Sequence, residues 1–214
     1  MSDAAQLEAP VTSGADFAAR TGATPAQVAD LERLQALLVD WNSRINLVSA
    51  ASLPDYWSRH VLDSAQLKPL APAARVWVDL GAGAGFPGLV LAILGKSEPG
   101  AKVHLVESQA KRCRFLEAAV AELALPAQVH NARAEDLALK ADVVTARAVA
   151  PLVRLLGFAR PYLAKGATGL FLKSESVDAE IAEARKSWRF TYDVTRSVSD
   201  SRGRIVKVEG LARG

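Results

Sequence analysis

Cysteine is nearly absent. Cys113 is the one cysteine among 214 residues, which excludes an internal disulfide and fits a reducing, cytoplasmic compartment. Long apolar runs are also missing: the longest are short, such as Leu89-Val90-Leu91-Ala92-Ile93-Leu94, far below a membrane span. Met1 to Thr24 has neither a basic start nor a continuous apolar stretch, so no secretory signal is read there. Residues 1–23 are expected to form a disordered, Ala-rich lead-in. The histidines are His60, His104 and His130; separated as they are, with one cysteine, they make no metal site. There is no internal repeat. Charge of one sign does not dominate either: the net charge is +3 and the pI about 9.1, a mild pointer to an anionic partner.

What is present is a core. Half of the residues are hydrophobic, enough for one domain with an extension. Thr24-Pro25-Ala26-Gln27 opens a helix, with Thr as N-cap, Pro at the first helical position and Gln three residues after the cap. Val28, Leu31, Leu34, Leu38 and Trp41 then recur at helical spacing to about Ser43. A shorter helix is expected over Leu53–Leu67, and Lys68-Pro69-Leu70-Ala71-Pro72 reads as a linker. From Arg75 strands and helices alternate. Strands are expected over 76–80, 102–106, 127–130, 142–145 and 168–173, and helices over 89–94, 109–123, 152–163 and 178–188. Phe190–Val194 and Arg204–Val208 read as a closing antiparallel pair. The fold class is therefore α/β: a Rossmann-like, mostly parallel sheet with a closing antiparallel strand and an N-terminal helical extension over 24–70. Ligands in such sheets sit beyond the carboxyl ends of the strands. Gly81, Glu107, the Asn131–Glu135 segment and Arg147 all fall at such ends.

The most informative stretch is Asp79-Leu80-Gly81-Ala82-Gly83-Ala84-Gly85-Phe86-Pro87-Gly88, followed by a second strand ending in Glu107. Gly81 suits the tight turn leaving the strand, Gly83 a close approach of backbone to a ligand, and Gly85 close packing of helix on sheet. Glu107 sits where a carboxylate accepts bonds from both hydroxyls of a ribose. The spacing G-x-G-x-G departs from the dinucleotide G-x-G-x-x-G pattern. Phe86-Pro87 occupies the place where a pyrophosphate needs free N–H groups, and proline has none. The loop suits a nucleoside cofactor without phosphates, S-adenosylmethionine, better than NAD. A bare strand–turn–helix without ligand is the bland alternative.

These residues resemble a class I S-adenosylmethionine-dependent methyltransferase, and more narrowly the bacterial 16S rRNA guanine-N7 methyltransferase G family, also named for glucose-inhibited division. The resemblance spans about residues 30–210. Its specific carriers are the Gly85-Phe86-Pro87-Gly88 extension and Arg59-His60 with Asp63-Ser64; Trp41-Asn42, Asn46-Leu47, Lys111-Arg112, Ala134-Glu135, Arg147-Ala148 and Leu172-Lys173 add to it. The resemblance implies a methyltransferase domain over 71–214, with Gly81, Gly83, Gly85 and Phe86 in the cofactor loop. Glu107 would hold the ribose, and Ala134 and Glu135 would meet the adenine. Arg147, just past strand four, would lie at the cofactor and target-base site. It implies methyl transfer to N7 of a guanine in a loop of 16S rRNA in the small ribosomal subunit. Methyl transfer to another RNA or to a small molecule is the alternative. A monomer without metal or membrane is expected.

Guanine N7 has an in-plane lone pair and no proton, so methylation there needs positioning and no general base. The sequence agrees by omission: it has no Asp/Asn-Pro-Pro-Tyr motif for an exocyclic amine, and Cys113 sits mid-helix, where packing is the expected role and covalent attack is not. Arg147 and Lys173 are the candidate catalytic residues, contacting phosphate, O6 or the cofactor carboxylate; a strand-end salt bridge is the competing reading for Arg147. His60 either faces the methionine end of the cofactor or forms a helix-surface pair with Arg59. Asp79 either bonds the cofactor's amino group or orders the glycine turn. His104 and His130 read as structural. Trp188, Phe190 and Tyr192 interleave with basic residues near the C-terminus, and Lys111, Arg112 and Arg114 form a second basic cluster. Basic plus aromatic suits RNA contact, with ordinary solvated faces as the alternative.

Overall fold

A computed structural model describes residues 10–137 and 139–214. Its centre is a seven-stranded sheet of β1 (Val76–Leu80), β2 (Lys102–Glu107), β3 (Ala127–Asn131), β4 (Val143–Arg147), β5 (Thr168–Lys173), β6 (Trp188–Arg196) and β7 (Arg204–Arg213). The order is β3-β2-β1-β4-β5-β7-β6. The first five strands are parallel, and β7 runs antiparallel between β5 and β6. The chain leaves β1 toward β2 and β3, then crosses back to β4. That reversal opens a crevice at the carboxyl ends of β1 and β4.

The helices are α1 (Gly14–Thr21), α2 (Pro25–Ile45), α3 (Asp63–Ala65), α4 (Gly88–Leu94), α5 (Ala110–Glu122), α6 (Leu152–Leu163) and α7 (Val177–Ala184). Alternation along β1 divides the core. Trp77 faces α2, α4 and α5 among Leu34, Leu38, Leu89 and Phe115, whereas Val78 and Leu80 face α6 and α7 among Leu155, Leu156 and Ile181. The capping box at Thr24 forms: Gln27 N–H donates to Thr24 Oγ1 at 3.3 Å and Thr24 N–H to Gln27 Oε1 at 2.9 Å. Leu31, Leu34 and Leu38 of α2 are fully buried, each stabilising by roughly 1.5–3 kcal/mol. The helical extension thus shares one continuous core with the sheet. Trp41 packs edge-on against Phe115, 5.9 Å between centroids, so both Trp41 and Leu38 are packing residues.

Four expectations meet corrections. The lead-in was read as disordered to residue 23; residues 1–9 lie outside the described residues, but α1 forms at 14–21. Its physical basis is small: Ser13 caps Asp16 N–H, and one aromatic, Phe17, is fully buried against Trp57. The segment expected as a helix over 53–67 is helical within narrower bounds, and its first part, Tyr56–Leu62, winds as a π-helix before running into α3. Its side chains Tyr56, Trp57, His60, Val61 and Leu62 are all buried, and such windings concentrate at functional sites. The last helix stops at Ala184, and Trp188 starts β6 with its indole N–H donating to Val153 O at 3.0 Å. Arg147 is the last residue of β4 and not a residue past it.

Candidate functional site

β1 ends and the chain turns through Gly81, Gly83 and Gly85 with φ of 67°, 56° and 85°, values that glycine adopts without strain. Two carboxylates hold this turn. Asp79 is fully buried, and its Oδ2 accepts the Gly88 N–H at 2.9 Å, where α4 starts. Burial pushes the Asp79 carboxyl up to about 7, with the Gly88 amide pulling the other way. Of its two readings, ordering the glycine turn is the contact observed. Glu107, closing β2, accepts Gly83 N–H on Oε2 at 3.0 Å and Gln109 N–H on Oε1 at 2.8 Å. Arg112 approaches the same carboxylate at 3.9 Å. Asn131 Nδ2 donates to the Glu107 and Ser108 carbonyls, tying the end of β3 to the end of β2.

Beside this turn lies a cleft of about 590 Å³ lined by Gly81, Val106, Ser108, Asn131, Ala134, Glu135, Val149 and Phe158 among others. The lining mixes the small residues Gly81, Ser108, Ala132 and Ala134 with the polar or charged Asn131, Arg133 and Glu135, and Val106, Val149 and Phe158 are its larger apolar members. A Cβ on Gly81 would meet Val149 Cγ2 at 2.8 Å, so this glycine is required by space as well as by φ.

A second cleft of about 680 Å³ opens at the ends of β4 and β5, between the π-helical stretch and the β6–β7 turn. Its walls carry charged side chains of both signs: Arg59, Arg147, Lys173, Arg202 and Arg204, with Asp63, Glu175, Glu180 and Asp200 among them. Arg147 is clamped. Its Nη1 donates to the Arg59 carbonyl at 2.8 Å and pairs with Asp63 Oδ2 at 3.4 Å, while Nη2 lies 3.1 Å from His60 Nδ1. A guanidinium only donates, so His60 Nδ1 is the acceptor and Nε2 carries the proton toward Ser52 Oγ at 3.2 Å. Burial, with the Arg147 and Arg59 charges, holds His60 down at about 3, so it is a neutral imidazole. His60 stacks on Phe86 with centroids 4.8 Å apart, and the Arg147 guanidinium lies 5.3 Å from the same ring. Burial also lowers Arg147 from its ordinary value, opposed by the charge of Asp63. Lys173 pairs with Glu180 at 2.6 Å and donates to Ala150 O at 3.1 Å. Glu180 also accepts the Leu152 N–H at 2.6 Å. Together these fasten the short segment joining β4 to α6. Within it Ala148 holds φ 54°, a region an alanine rarely adopts, at the point where the two clefts meet.

The sequence candidates therefore divide. Gly81, Ala134 and Glu135 line the first cleft; His60, Arg147 and Lys173 line the second. His60, expected either to face the methionine end of the cofactor or to pair with Arg59 on a helix surface, is buried and bonded to Arg147 in the wall of the second cleft. Gly83, Gly85 and Phe86 belong to the turn itself, which Glu107 holds through the Gly83 N–H; these four line neither cleft, and the Phe86 ring is turned into the core. The salt-bridge reading of Arg147 is realised through Asp63. Cys113 is buried, with its thiol toward the Glu107 carbonyl at 3.3 Å, as packing predicts. His104 and His130 bond to one another at 2.9 Å. Trp188 and Phe190 pack on the α6–α7 core, so of the three interleaved aromatics Tyr192 alone is exposed. Sequence reasoning missed Val149 and Phe158, which carry no signal beyond position, and gave no role to Asp63, whose signal was its place in Arg59-His60-x-x-Asp63. Among the described residues no helix is long and apolar enough to cross a membrane, and no group of three or more metal-ligating side chains occurs.

Residues 27–206 match the family model described as GidB, rRNA small subunit methyltransferase G. A ribosomal RNA small subunit methyltransferase G of Caulobacter vibrioides is 61% identical over 95% of this chain and 94% of its own. One from Parvibaculum lavamentivorans is 46% identical over 94% of this chain and 91% of its own. Among solved structures, the O-methyltransferase TomG of Streptomyces achromogenes, in complex with SAM, shares the fold at a TM-score of 0.58 and 14% identity, covering 92% of this chain and 96% of its own.

Proposed function

The chain belongs to the rRNA small subunit methyltransferase G family, and from that premise we propose that it transfers a methyl group from S-adenosylmethionine to N7 of a guanine in a loop of 16S rRNA. The observation that carries this reading is a pair of clefts lined by neighbouring residues of the segment Arg147–Val149: one beside the glycine turn, with Gly81, Ala134, Val149 and Phe158 in its lining, the other walled by Arg59, Arg147, Lys173, Arg202 and Arg204 with carboxylates set among them.

The first cleft fits the cofactor. Its volume of about 590 Å³ falls in the range of small-molecule sites. Gly81 leaves space that a Cβ would fill, Val149 and Phe158 offer apolar surface to a purine, and Ala134 and Glu135 offer backbone to its edge. Glu107 would hold the ribose hydroxyls with the lone pairs that its two backbone bonds leave. When bound, S-adenosylmethionine supplies an electrophilic methyl group. Because N7 has a lone pair and no proton, the protein's task is placement. Arg147 presents its guanidinium to the second cleft, suited to a phosphate, to O6 or to the cofactor carboxylate. Lys173, already paired with Glu180, acts by holding the segment 148–151.

The N7 edge lies in the groove of regular A-form RNA that side chains cannot enter, so the target base is unpaired or flipped out. Arg59, Arg202 and Arg204 at the rim would hold the surrounding backbone. On this reading the chain comprises a helical extension to residue 70 and a catalytic domain over 71–214, and works as a cytoplasmic monomer. The test is transfer of labelled methyl to unmodified 16S rRNA and to small-subunit particles, with nucleoside analysis. Labelled 7-methylguanosine is the expected product. Label on a small molecule and none on RNA would overturn the reading.

A further inference from the structure

We propose that Asp63 is a positioning residue for methyl transfer, locking Arg147 and the loop 197–203 into one wall of the RNA-facing cleft. The proposal rests on the rRNA methyltransferase reading given above.

The geometry is that of a two-sided clamp. Oδ2 of Asp63 faces Arg147 Nη1 at 3.4 Å. Oδ1 accepts the Ser199 hydroxyl at 2.7 Å and the Gln66 amide at 2.9 Å. Gln66 in turn donates to Ser197 Oγ at 3.0 Å and accepts Val198 N–H at 2.9 Å. Gln66 therefore fastens the loop to the helical extension, but only Asp63 continues the chain of contacts to Arg147. The same loop carries Arg202 and leads into Arg204, both on the cleft wall. The arginine at the end of β4 and the basic loop between β6 and β7 are fifty or more residues apart in sequence, and one carboxylate joins them.

Charge gives Asp63 a second task. The other partners of Arg147 are a carbonyl and a neutral imidazole. Among the described residues Asp63 is the one carboxylate within ion-pair distance of it. A guanine methylated at N7 becomes cationic, and an unbalanced guanidinium beside it would oppose that change. Asp63 keeps Arg147 oriented and balanced together. Replacing it with asparagine keeps the shape and removes the charge.

The test uses the full chain and unmodified 16S rRNA. Asp63→Asn is expected to leave the S-adenosylmethionine Kd within about twofold of wild type while kcat falls roughly 10- to 100-fold, the scale of a charged hydrogen bond. Asp63→Glu, which keeps the charge, should recover part of kcat. Ser199→Ala cuts the loop's direct bond to Asp63 while keeping the Gln66 bonds and the three Arg147 contacts, and should raise the RNA KM several-fold with a smaller effect on kcat. A merely structural role would lower thermal stability and cofactor affinity along with activity and show no such division. Wild-type kcat in Asp63→Asn, or an unchanged RNA KM in Ser199→Ala, overturns the proposal; the second variant decides if the first does not fold. Failure of the wild-type chain to methylate RNA at all would instead overturn the functional reading on which it rests.

Discussion

The two clefts meet at Ala148 yet are built in opposite ways. The first lies beside a turn set by main chain: glycines at positive φ, and two carboxylates spent on Gly83, Gln109 and Gly88 amides. The second is shaped by side chains from three distant stretches, Arg59–Asp63, Arg147 with Lys173, and Ser199–Arg204, each holding another. A backbone site recognises a small ligand whose form never changes. A side-chain site can be charged and tuned for one large polyanion. The difference teaches that cofactor binding and acceptor recognition should fail separately when residues are changed.

The largest effect should come from the backbone side. A Cβ at Gly85 would sit 2.2 Å from Leu89 Cδ1 and 3.2 Å from Leu116 Cδ2, at φ 85°. Gly85→Ala is expected to cost roughly 2–4 kcal/mol of stability and to weaken cofactor binding, read by denaturant unfolding and calorimetry. Retained stability would break the claim that this loop is set by space. Next comes Glu107→Ala, which strips the partners of two backbone amides. The cofactor Kd should rise by roughly 10- to 100-fold with RNA binding unchanged by gel shift.

On the side-chain side, Lys173→Met leaves the Glu180 carboxylate without its cation. Methyl transfer should drop about tenfold with cofactor affinity near wild type, since the lysine acts through the segment 148–151. The pH dependence sharpens the contrast further. His60 at about 3 and His104 at about 4 both lie below the ordinary histidine value, so the unfolded chain takes up protons first. Their contribution is whole above about pH 6.5 and is lost as pH falls toward 4 and then 3. Asp79, raised to about 7, works in the opposite sense: its contribution is present below 3.8 and lost as pH rises toward 7. His60→Gln should therefore flatten the acid side of a plot of melting temperature against pH. The smallest effect is Arg202→Ala at the exposed rim. It should raise the RNA KM a few-fold and lessen the salt dependence of binding by about one unit of slope, with kcat unmoved.

Legibility in the sequence followed the same division. The glycine spacing, the acid after β2 and the strand alternation are local patterns, so the parallel sheet, the closing antiparallel pair and the first cleft could be located before any coordinates. The capping box at Thr24 forms as spelled. What could not be read depends on contacts far apart in the chain. Phe17 turns an Ala-rich lead-in into a helix by reaching Trp57, which no local pattern shows. The π-helical winding at Tyr56–Leu62 left no local signal: Tyr56, Trp57, His60, Val61 and Leu62 are all buried, so the stretch shows no one-faced helical pattern. Phe86 sits in the signature loop but turns inward to His60. Trp188 and Phe190 looked like stacking residues because aromatics among basic residues read alike whether they face RNA or a core.

The central claim is the separation of cofactor binding from acceptor chemistry, and Arg147→Gln tests it most directly. Measured side by side by calorimetry with S-adenosylmethionine and by labelled-methyl transfer to unmodified 16S rRNA, the variant should bind the cofactor within a few-fold of wild type. Its transfer should fall by about 100-fold or more, the scale of a lost charge-assisted contact in a site that works by placement. Wild-type transfer together with wild-type cofactor affinity would contradict the account, leaving Arg147 a strand-end salt bridge and nothing more.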